Sequence, residues 1–100
     1  MHLKTPYYAV IFTSTRTEGN NGYSEMAASM ENLARKQAGF LGVDSAREEI
    51  GITVSYWDSL EAIKAWKSQT DHLTAQSLGK EKWYESYHVR IAKVEKEYGF

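Results

Sequence analysis

The sequence has 100 residues, with 12 Lys and Arg against 13 Asp and Glu, and its net charge at pH 7 is −1. A chain of this length predicts a single domain over residues 1–100, with residues 1–6 as an N-terminal arm and a core over about residues 7–98. The near-neutral charge excludes binding of nucleic acid or an anionic membrane by bulk electrostatics. The absence of cysteine excludes disulfides, thiolate metal sites and a cysteine nucleophile, and it fits a cytoplasmic location.

Membrane spans and metal sites are also not predicted. The longest uncharged run, Thr5–Thr15, has 11 residues, whereas a membrane helix needs about 20. The three histidines, His2, His72 and His88, do not have the spacing of three or four residues that places two ligands on one helical face. We therefore expect no dedicated metal site.

The first half of the chain predicts a strand, a loop and a helix. Tyr7–Thr13 is aromatic and β-branched and predicts a strand that is apolar on both faces. Arg16–Gly22 contains Gly and Asn and predicts a loop. From Tyr23 to Gln37, apolar residues recur at helical spacing, and Gly39 favours an end to this helix.

The second half predicts a hairpin of strands, Phe40–Arg47 and Ile52–Trp57, joined by a turn at residues 48–51. Behind Asp58, apolar residues again recur at helical spacing. The remaining predicted elements are a helix that breaks at Ser68–Asp71, a shorter helix over Asp71–Leu78, and a last strand over Tyr87–Tyr98.

This order, β-α-β-β-α-β, predicts an α+β protein of ferredoxin-like topology, with a four-stranded antiparallel sheet and both helices on one face. The uncovered face of such a sheet normally carries polar residues. Here the first strand is apolar at both parities, with Tyr8 and Val10 alternating with Ala9 and Ile11. The pattern therefore predicts that a second copy packs on the uncovered face and forms a homodimer.

Several aromatic and titratable residues are candidates for a pocket between the sheet and the helices. Trp57 and Trp66 follow one another along the third strand and the second helix, and they also fit a role as core residues. His72 has the side chain whose ordinary pKa suits a general base, although it also fits a surface histidine. Arg90 could stabilise a developing anion or pair with Asp44. Trp83 and Tyr84 complete the expected pocket.

The chain resembles the antibiotic biosynthesis monooxygenase (ABM) family of dimeric α/β barrels. The resemblance rests on GFLG at residues 39–42 and SYWDSLEAIKAW at residues 55–66, and it extends over most of Tyr7–Tyr98. It implies oxygenation of a small quinol-like or phenolic molecule by O2 without a metal, flavin or haem. The resemblance also implies residue roles: His72 as base, Arg90 and the indole N–H of Trp57 or Trp66 as anion stabilisers, Tyr84 as proton donor, and Trp57, Trp66, Trp83, Tyr56 and Phe12 as substrate-binding residues.

Four other functions are alternatives to this one. Haem-degrading relatives carry an Asn on the first strand, a Trp on the second helix and a His ten residues later; this chain keeps Trp66 but has Gln76 at the last position and no Asn on the strand. Relatives that oxidise aromatic polyketides carry an Asn where Thr53 stands. Gly39–Val43 faintly resembles an RNA-recognition motif but begins the wrong strand. A dimeric module that binds a small apolar ligand without turnover is the alternative from another class.

Overall fold

The computed structural model describes residues 3–19, 22–76 and 83–100, with side chains described throughout these ranges except at residues 72–76. The elements alternate in the order expected from the sequence. They are β1 (Tyr7–Arg16), α1 (Tyr23–Arg35), β2 (Phe40–Arg47), β3 (Gly51–Trp57), α2 (Leu60–Gln76) and β4 (Tyr84–Val94).

The four strands form one antiparallel sheet in the order β2-β3-β1-β4. This arrangement confirms the predicted ferredoxin-like fold class. In register, Tyr8 of β1 lies opposite Trp57 of β3 and Lys93 of β4, and Ser14 lies opposite Gly51 and Tyr87. Because successive side chains of a strand point to opposite faces, this register assigns every strand residue to one of two faces.

One face, which we call the helix face, carries the core. Val10 and Trp57 of the sheet are buried together with Ala34 of α1 and Ile63 of α2. The aromatic rings of Phe40 and Trp66 pack against this cluster, as do Tyr8 and Ala62. Burial of these apolar side chains is the main source of stability for a chain of this size.

The other face, which we call the open face, has no helix of the described chain on it. Tyr7 and Ala9 are nevertheless only 4% exposed each. The Tyr7 hydroxyl donates a hydrogen bond of 2.5 Å to Glu97, and the backbone N–H of Leu3 also donates to Glu97. The N-terminal arm and the C-terminal tail thus meet at Glu97, beside the first residue of β1.

The connection between α1 and β2 approaches the start of α2 closely. Gly39 has a φ of +88°, and a Cβ at this position would lie 2.4 Å from Asp58 Oδ1 and 2.7 Å from Ala62 Cβ. The Gly39 carbonyl accepts a hydrogen bond of 2.8 Å from the backbone N–H of Asp58. Only glycine meets both requirements, which explains why the sequence has Gly directly before β2, whereas α1 itself already ends at Arg35 with Lys36 as its cap. The Ser59 hydroxyl then caps α2 by accepting from the Ala62 N–H at 3.1 Å.

The predicted helix break at Ser68–Asp71 is wrong, because α2 runs without interruption from Leu60 to Gln76. Lys67 and Asp71 form a hydrogen-bonded ion pair of 2.8 Å at a spacing of four residues, and such pairs stabilise a helix. The helix predicted over Asp71–Leu78 is therefore the last part of α2 as far as Gln76, and its final residues lie outside the described ranges. Within those ranges, neither helix is long and apolar enough to cross a membrane.

The outer strand bounds also differ from the prediction. β1 extends to Arg16 instead of Thr13, and β4 spans Tyr84–Val94 instead of Tyr87–Tyr98. The two strands pair from Tyr7 opposite Val94 to Arg16 opposite Tyr84, with a register shift at Thr15 and Arg16. β4 ends at Val94 because β1, its partner, begins at Tyr7.

Candidate active site

The helix face carries two groups of aromatic side chains. The first is the tryptophan pair, Trp57 and Trp66, whose ring centres are 4.9 Å apart. Trp57 is fully buried, and its indole N–H donates a hydrogen bond of 2.9 Å to the Ser55 hydroxyl. The indole N–H of Trp66 is buried without an acceptor in the described part of the chain. The sequence predicts Trp57 or Trp66 as a hydrogen-bond donor to the substrate, and within the described residues Trp66 is the one whose N–H has no acceptor.

The second group, the tyrosine cluster, consists of Phe12, Tyr23, Tyr84 and Tyr87. The ring of Phe12 lies 5.4 Å from that of Tyr84 and stacks at 5.5 Å on that of Tyr87. Tyr23, the first residue of α1, meets Tyr84 edge to face at 5.9 Å. These contacts bring β1, α1 and β4 together at the end of the sheet away from Trp57.

Two arginines flank Tyr23, and we call them the arginine pair. The guanidinium carbon of Arg16 lies 3.4 Å from the Tyr23 ring centre, and that of Arg47 lies 5.9 Å from it. Arg16 also donates hydrogen bonds of 3.1 Å each to the backbone carbonyls of Trp83 and Gly19. These bonds fix its guanidinium over the ring of Tyr23, where the negative face of the ring attracts it.

Arg47 reaches this position across the sheet. Arg47, Gly51, Ser14 and Tyr87 form one row across the four strands. The Arg47 guanidinium passes over Gly51 and donates a hydrogen bond to the hydroxyl of Ser14, which is 3% exposed. A Cβ on Gly51 would lie 2.0 Å from Arg47 Nη2. The missing side chain at residue 51 is thus what leaves room for the guanidinium.

The environment of Tyr84 keeps its hydroxyl protonated. Burial raises the pKa of Tyr84, and the charge of Tyr23 and a hydrogen bond with its hydroxyl raise it further. Arg47 and Arg16 act in the opposite direction, so their charges reach the Tyr84 hydroxyl. Tyr84 is a neutral phenol at physiological pH, and its raised pKa suits it to donate a hydrogen bond without giving up its proton.

The structure brings together some of the residues predicted for the pocket. Phe12 and Tyr84 belong to the tyrosine cluster, and Trp57 and Trp66 form the tryptophan pair on the same face. Trp83 is 3% exposed, and its carbonyl accepts from Arg16 Nε and from the Thr17 N–H at 3.0 Å. Trp83 thus anchors the start of β4 beside Arg16.

The structure does not bring Arg90 and Tyr56 into that pocket, because both lie on the open face. Arg90 lies opposite Ile11, whereas Phe12 and Val89 next to them point to the helix face. The sequence predicts Arg90 in the pocket, but it does not determine which face of the sheet each residue of the last strand points to. Tyr56 donates a hydrogen bond of 2.8 Å to Asp44, which raises the pKa of Tyr56, and its ring meets Tyr7. Asp44 on β2 is also separated from Arg90 on β4 by two strands.

His72 lies within α2, but its side chain is outside the described part of the structure. Its role as a base therefore stays a prediction. Among the residues that the structure describes, no group of three His, Asp or Glu could hold a metal ion.

The sequence reasoning missed Arg16, Arg47, Tyr23 and Tyr87. The sequence predicts a strand that ends at Thr13 and therefore a loop at Arg16, but in the structure β1 includes Arg16, at an even number of residues from Phe12. The sequence also predicts a turn at Gly51, whereas Gly51 is the first residue of β3 and pairs with Arg47. Extending the alternation of the first strand by three residues would have placed Arg16 on the helix face.

A cavity of about 280 Å³ lies elsewhere, under the N-terminal arm. The phenol in its wall is that of Tyr7, whose hydroxyl is bonded to Glu97. Its described lining has an ammonium, that of Lys4, and a carboxylate, that of Asp58, but none of the residues predicted for the site. The lining residues are Leu3, Lys4, Thr5, Pro6, Tyr7, Leu41 and Asp58.

Comparison with known proteins identifies the relatives of this chain. Residues 15–98 match the model of a family described as Monooxygenase af470-like. The uncharacterized protein YqjZ of Bacillus subtilis (strain 168) is 54% identical over 94 residues, which cover 92% of this chain and 82% of that protein. Residues 15–98, which match the family model, include Arg16, Arg47 and Tyr84.

Solved structures share the fold. SnoaB, a cofactor-independent oxygenase from Streptomyces nogalater, matches with a TM-score of 0.75 at 13% identity, over 93% of this chain and 97% of that one. PA3566 from Pseudomonas aeruginosa matches with a TM-score of 0.67 at 20% identity, over 98% and 100% of the two chains. Structures whose names include the words antibiotic biosynthesis monooxygenase also match. The family match and the shared fold confirm the predicted resemblance to the ABM family. At identities of 20% or less, the solved structures show a common fold and do not identify a substrate for this chain.

Proposed function

Since this chain belongs to the Monooxygenase af470-like family, we propose that it is a cofactor-independent monooxygenase that oxidises a small quinol-like or phenolic molecule with O2. The observation that carries the proposal is the tyrosine cluster with the arginine pair beside it. Aromatic rings offer a stacking surface for an aromatic substrate, and two guanidiniums favour its anionic form. The cluster is also accessible, because Tyr87 is 37% exposed and its neighbour Val89 47% exposed.

The proposed reaction needs no electron donor besides the substrate. A phenol with a free ring carbon ortho or para to its hydroxyl loses the hydroxyl proton to a base, and the phenolate passes one electron to O2. The resulting radical and superoxide combine at the ring carbon to form a carbon–oxygen bond, and the peroxide oxygen takes up a proton. Loss of water then breaks the O–O bond and leaves a quinone. One oxygen atom of O2 enters the product, the other leaves in water, and the phenol is oxidised by four electrons.

We assign the steps of this reaction to the arginine pair, Tyr84, Trp66 and His72. The positive charges of the arginine pair stabilise the phenolate electrostatically, which does not require contact with its oxygen, and so lower the free energy of its formation. Tyr84, a neutral phenol, donates a hydrogen bond to the peroxide oxygen that takes up the proton. The indole N–H of Trp66, which has no acceptor among the described residues, offers a second hydrogen bond to an oxygen of the substrate. His72 is the proposed base.

We further propose that two copies of the chain pack through the open face. Ile11 and Val54 are neighbours on this face and are partly exposed, and Ile52 beside them is 46% exposed. A two-fold arrangement would bury this apolar patch against its own equivalent. Light scattering after gel filtration should give twice the monomer mass, and Val54→Lys should convert the protein to monomers. A monomeric wild type contradicts this part of the proposal.

Oxygen uptake tests the proposed activity. Chelator-treated protein is mixed with a panel of quinols and anthrones, and O2 consumption is followed beside product formation. We expect uptake by the wild type, about a hundredfold less by His72→Ala, and wild-type uptake by His88→Ala. His88 is a matched control because it is an exposed histidine of the open face.

Two outcomes contradict the proposal. Saturable quenching of tryptophan fluorescence by the panel without any product would identify a binding module instead of an enzyme. Equal uptake by His72→Ala and the wild type would remove His72 from the mechanism and leave the base unassigned.

A further inference from the structure

We propose that the substrate of this site carries a carboxylate, which the arginine pair binds while the tyrosine cluster holds the aromatic ring. This inference rests on the proposed function, because it names the substrate class of the same site. It starts from the position of the guanidiniums of Arg16 and Arg47, 3.4 Å and 5.9 Å from the centre of the Tyr23 ring.

Neither charge of the arginine pair is neutralised within the described chain. The ion pairs there join Glu31 to Arg35 and Lys67 to Asp71. Arg16 donates to two backbone carbonyls and Arg47 to the Ser14 hydroxyl, which are all uncharged acceptors. A guanidinium has five N–H donors, so each arginine keeps N–H groups for a ligand.

Two like charges beside one ring repel each other, and an anion between them relieves that repulsion. A carboxylate matches the fork of a guanidinium with its two oxygens, and such charged hydrogen bonds are stronger than neutral ones. The neighbouring rings of Tyr23, Tyr84 and Phe12 favour an aromatic ring attached directly to that carboxylate. A hydroxybenzoate-like molecule meets both requirements and is a phenol, as the proposed reaction needs.

Gly51 makes the position of Arg47 testable without changing any charge. Gly51 is buried in β3, and the atoms that a new Cβ would meet are the guanidinium atoms of Arg47, at 2.0 to 2.6 Å. Because these atoms are the end of a flexible side chain, Gly51→Ala should displace the guanidinium and leave the sheet intact. Circular dichroism checks the fold of this variant and of Arg47→Gln.

The experiment compares 3-hydroxybenzoate with its neutral amide, 3-hydroxybenzamide. Binding is measured by calorimetry without O2 at low salt, and the arginine Nε–H signals are followed by NMR. We expect the acid to bind the wild type about tenfold more tightly than the amide and to shift the signals of Arg16 and Arg47. Arg47→Gln and Gly51→Ala should lose this preference. Lys64→Gln, the same charge change at an exposed residue of α2, should keep it.

Four results would each overturn the inference. Two concern the acid and the wild type: equal affinity for acid and amide, or no binding of the acid up to about 10 mM. The third is an unchanged preference for the acid in both Arg47→Gln and Gly51→Ala, and the fourth is tighter binding of phenyl phosphate than of 3-hydroxybenzoate by the wild type. The two proposals fail separately. A carboxylate preference without oxygen uptake contradicts the proposed function, and uptake without a carboxylate preference contradicts this inference.

Discussion

The two ends of the helix face are built from the same strands but have opposite character. At one end Trp57 is 0% and Ile63 4% exposed, and Val10 completes a sealed apolar core. At the other end Tyr87 is 37% exposed, and the ring of Tyr23 lies beside two arginines. Val10 and Phe12, two residues apart on β1, mark the boundary between the two ends.

This division separates what holds the fold together from what can bind a ligand. The tryptophan end lies where Ala34 of α1 and Ile63 of α2 cover the sheet, so its side chains are excluded from water. The helix face of β4 is less covered in the described chain, with Val89 47% and Ile91 51% exposed. Substitutions at the first end should therefore change stability, and those at the second should change binding and activity. Trp66 is the exception, because it packs against the core but is only partly buried.

The largest effect is expected from Trp57→Ala, which opens a cavity in the sealed end. Removing a fully buried tryptophan costs about 3–5 kcal/mol of unfolding free energy, through lost apolar burial and the cavity that remains. The Ser55 hydroxyl also loses the indole donor at 2.9 Å. Urea denaturation followed by circular dichroism measures the loss. A cost below about 1 kcal/mol would show that Trp57 is not the centre of the core.

An intermediate effect is expected from Tyr7→Phe, which removes a tyrosine hydroxyl from the open face. The bond to Glu97 should contribute about 1–2 kcal/mol to stability. That bond is the main cause that raises the pKa of Tyr7 to about 12, followed by burial. A raised tyrosine pKa gives stability that is complete below pH 10 and is lost as the pH rises to about 12.

Denaturation of the wild type and of Tyr7→Phe at a series of pH values checks this prediction. The difference in unfolding free energy between the two proteins should be constant up to pH 10 and should then shrink toward pH 12. A difference that does not change over this interval would contradict the assigned role of Glu97.

The smallest effect on stability is expected from Trp66→Phe. The variant removes a buried N–H that has no acceptor in the described chain, and this gain offsets part of the packing lost with the smaller ring. The unfolding free energy should change by about 1 kcal/mol or less, while oxygen uptake falls. A loss as large as that of Trp57→Ala would place Trp66 wholly in the core and remove it from the site.

The fold could be predicted from the sequence because its signals are local and periodic. The strand over Phe40–Arg47 and the start of the helix at Tyr23 were placed at their observed residues. The site could be predicted only in part, because it depends on register. Arg90 and Val89 are neighbours on β4 but face opposite sides, and the sequence has no signal that selects between them.

Arg47 shows a second reason why the site could not be predicted in full. Its role depends on Gly51 and Ser14 of two other strands, which lie in one row only after the sheet has formed. Such a lateral contact across strands leaves no periodic pattern in the sequence. The aromatic residues of the sequence predict a pocket, whereas the positions of the two guanidiniums beside it follow only from the structure.

The central claim, that the tyrosine end of the helix face is the site of oxidation, is tested most directly with two variants that each lose one hydroxyl. Oxygen uptake by folded Tyr84→Phe should fall at least about tenfold, because the charges of the arginine pair reach the hydroxyl that this variant loses. Tyr7→Phe, on the open face, should lose stability and keep wild-type uptake below its unfolding temperature. Full uptake by Tyr84→Phe together with reduced uptake by Tyr7→Phe would place the reaction on the open face and contradict the account.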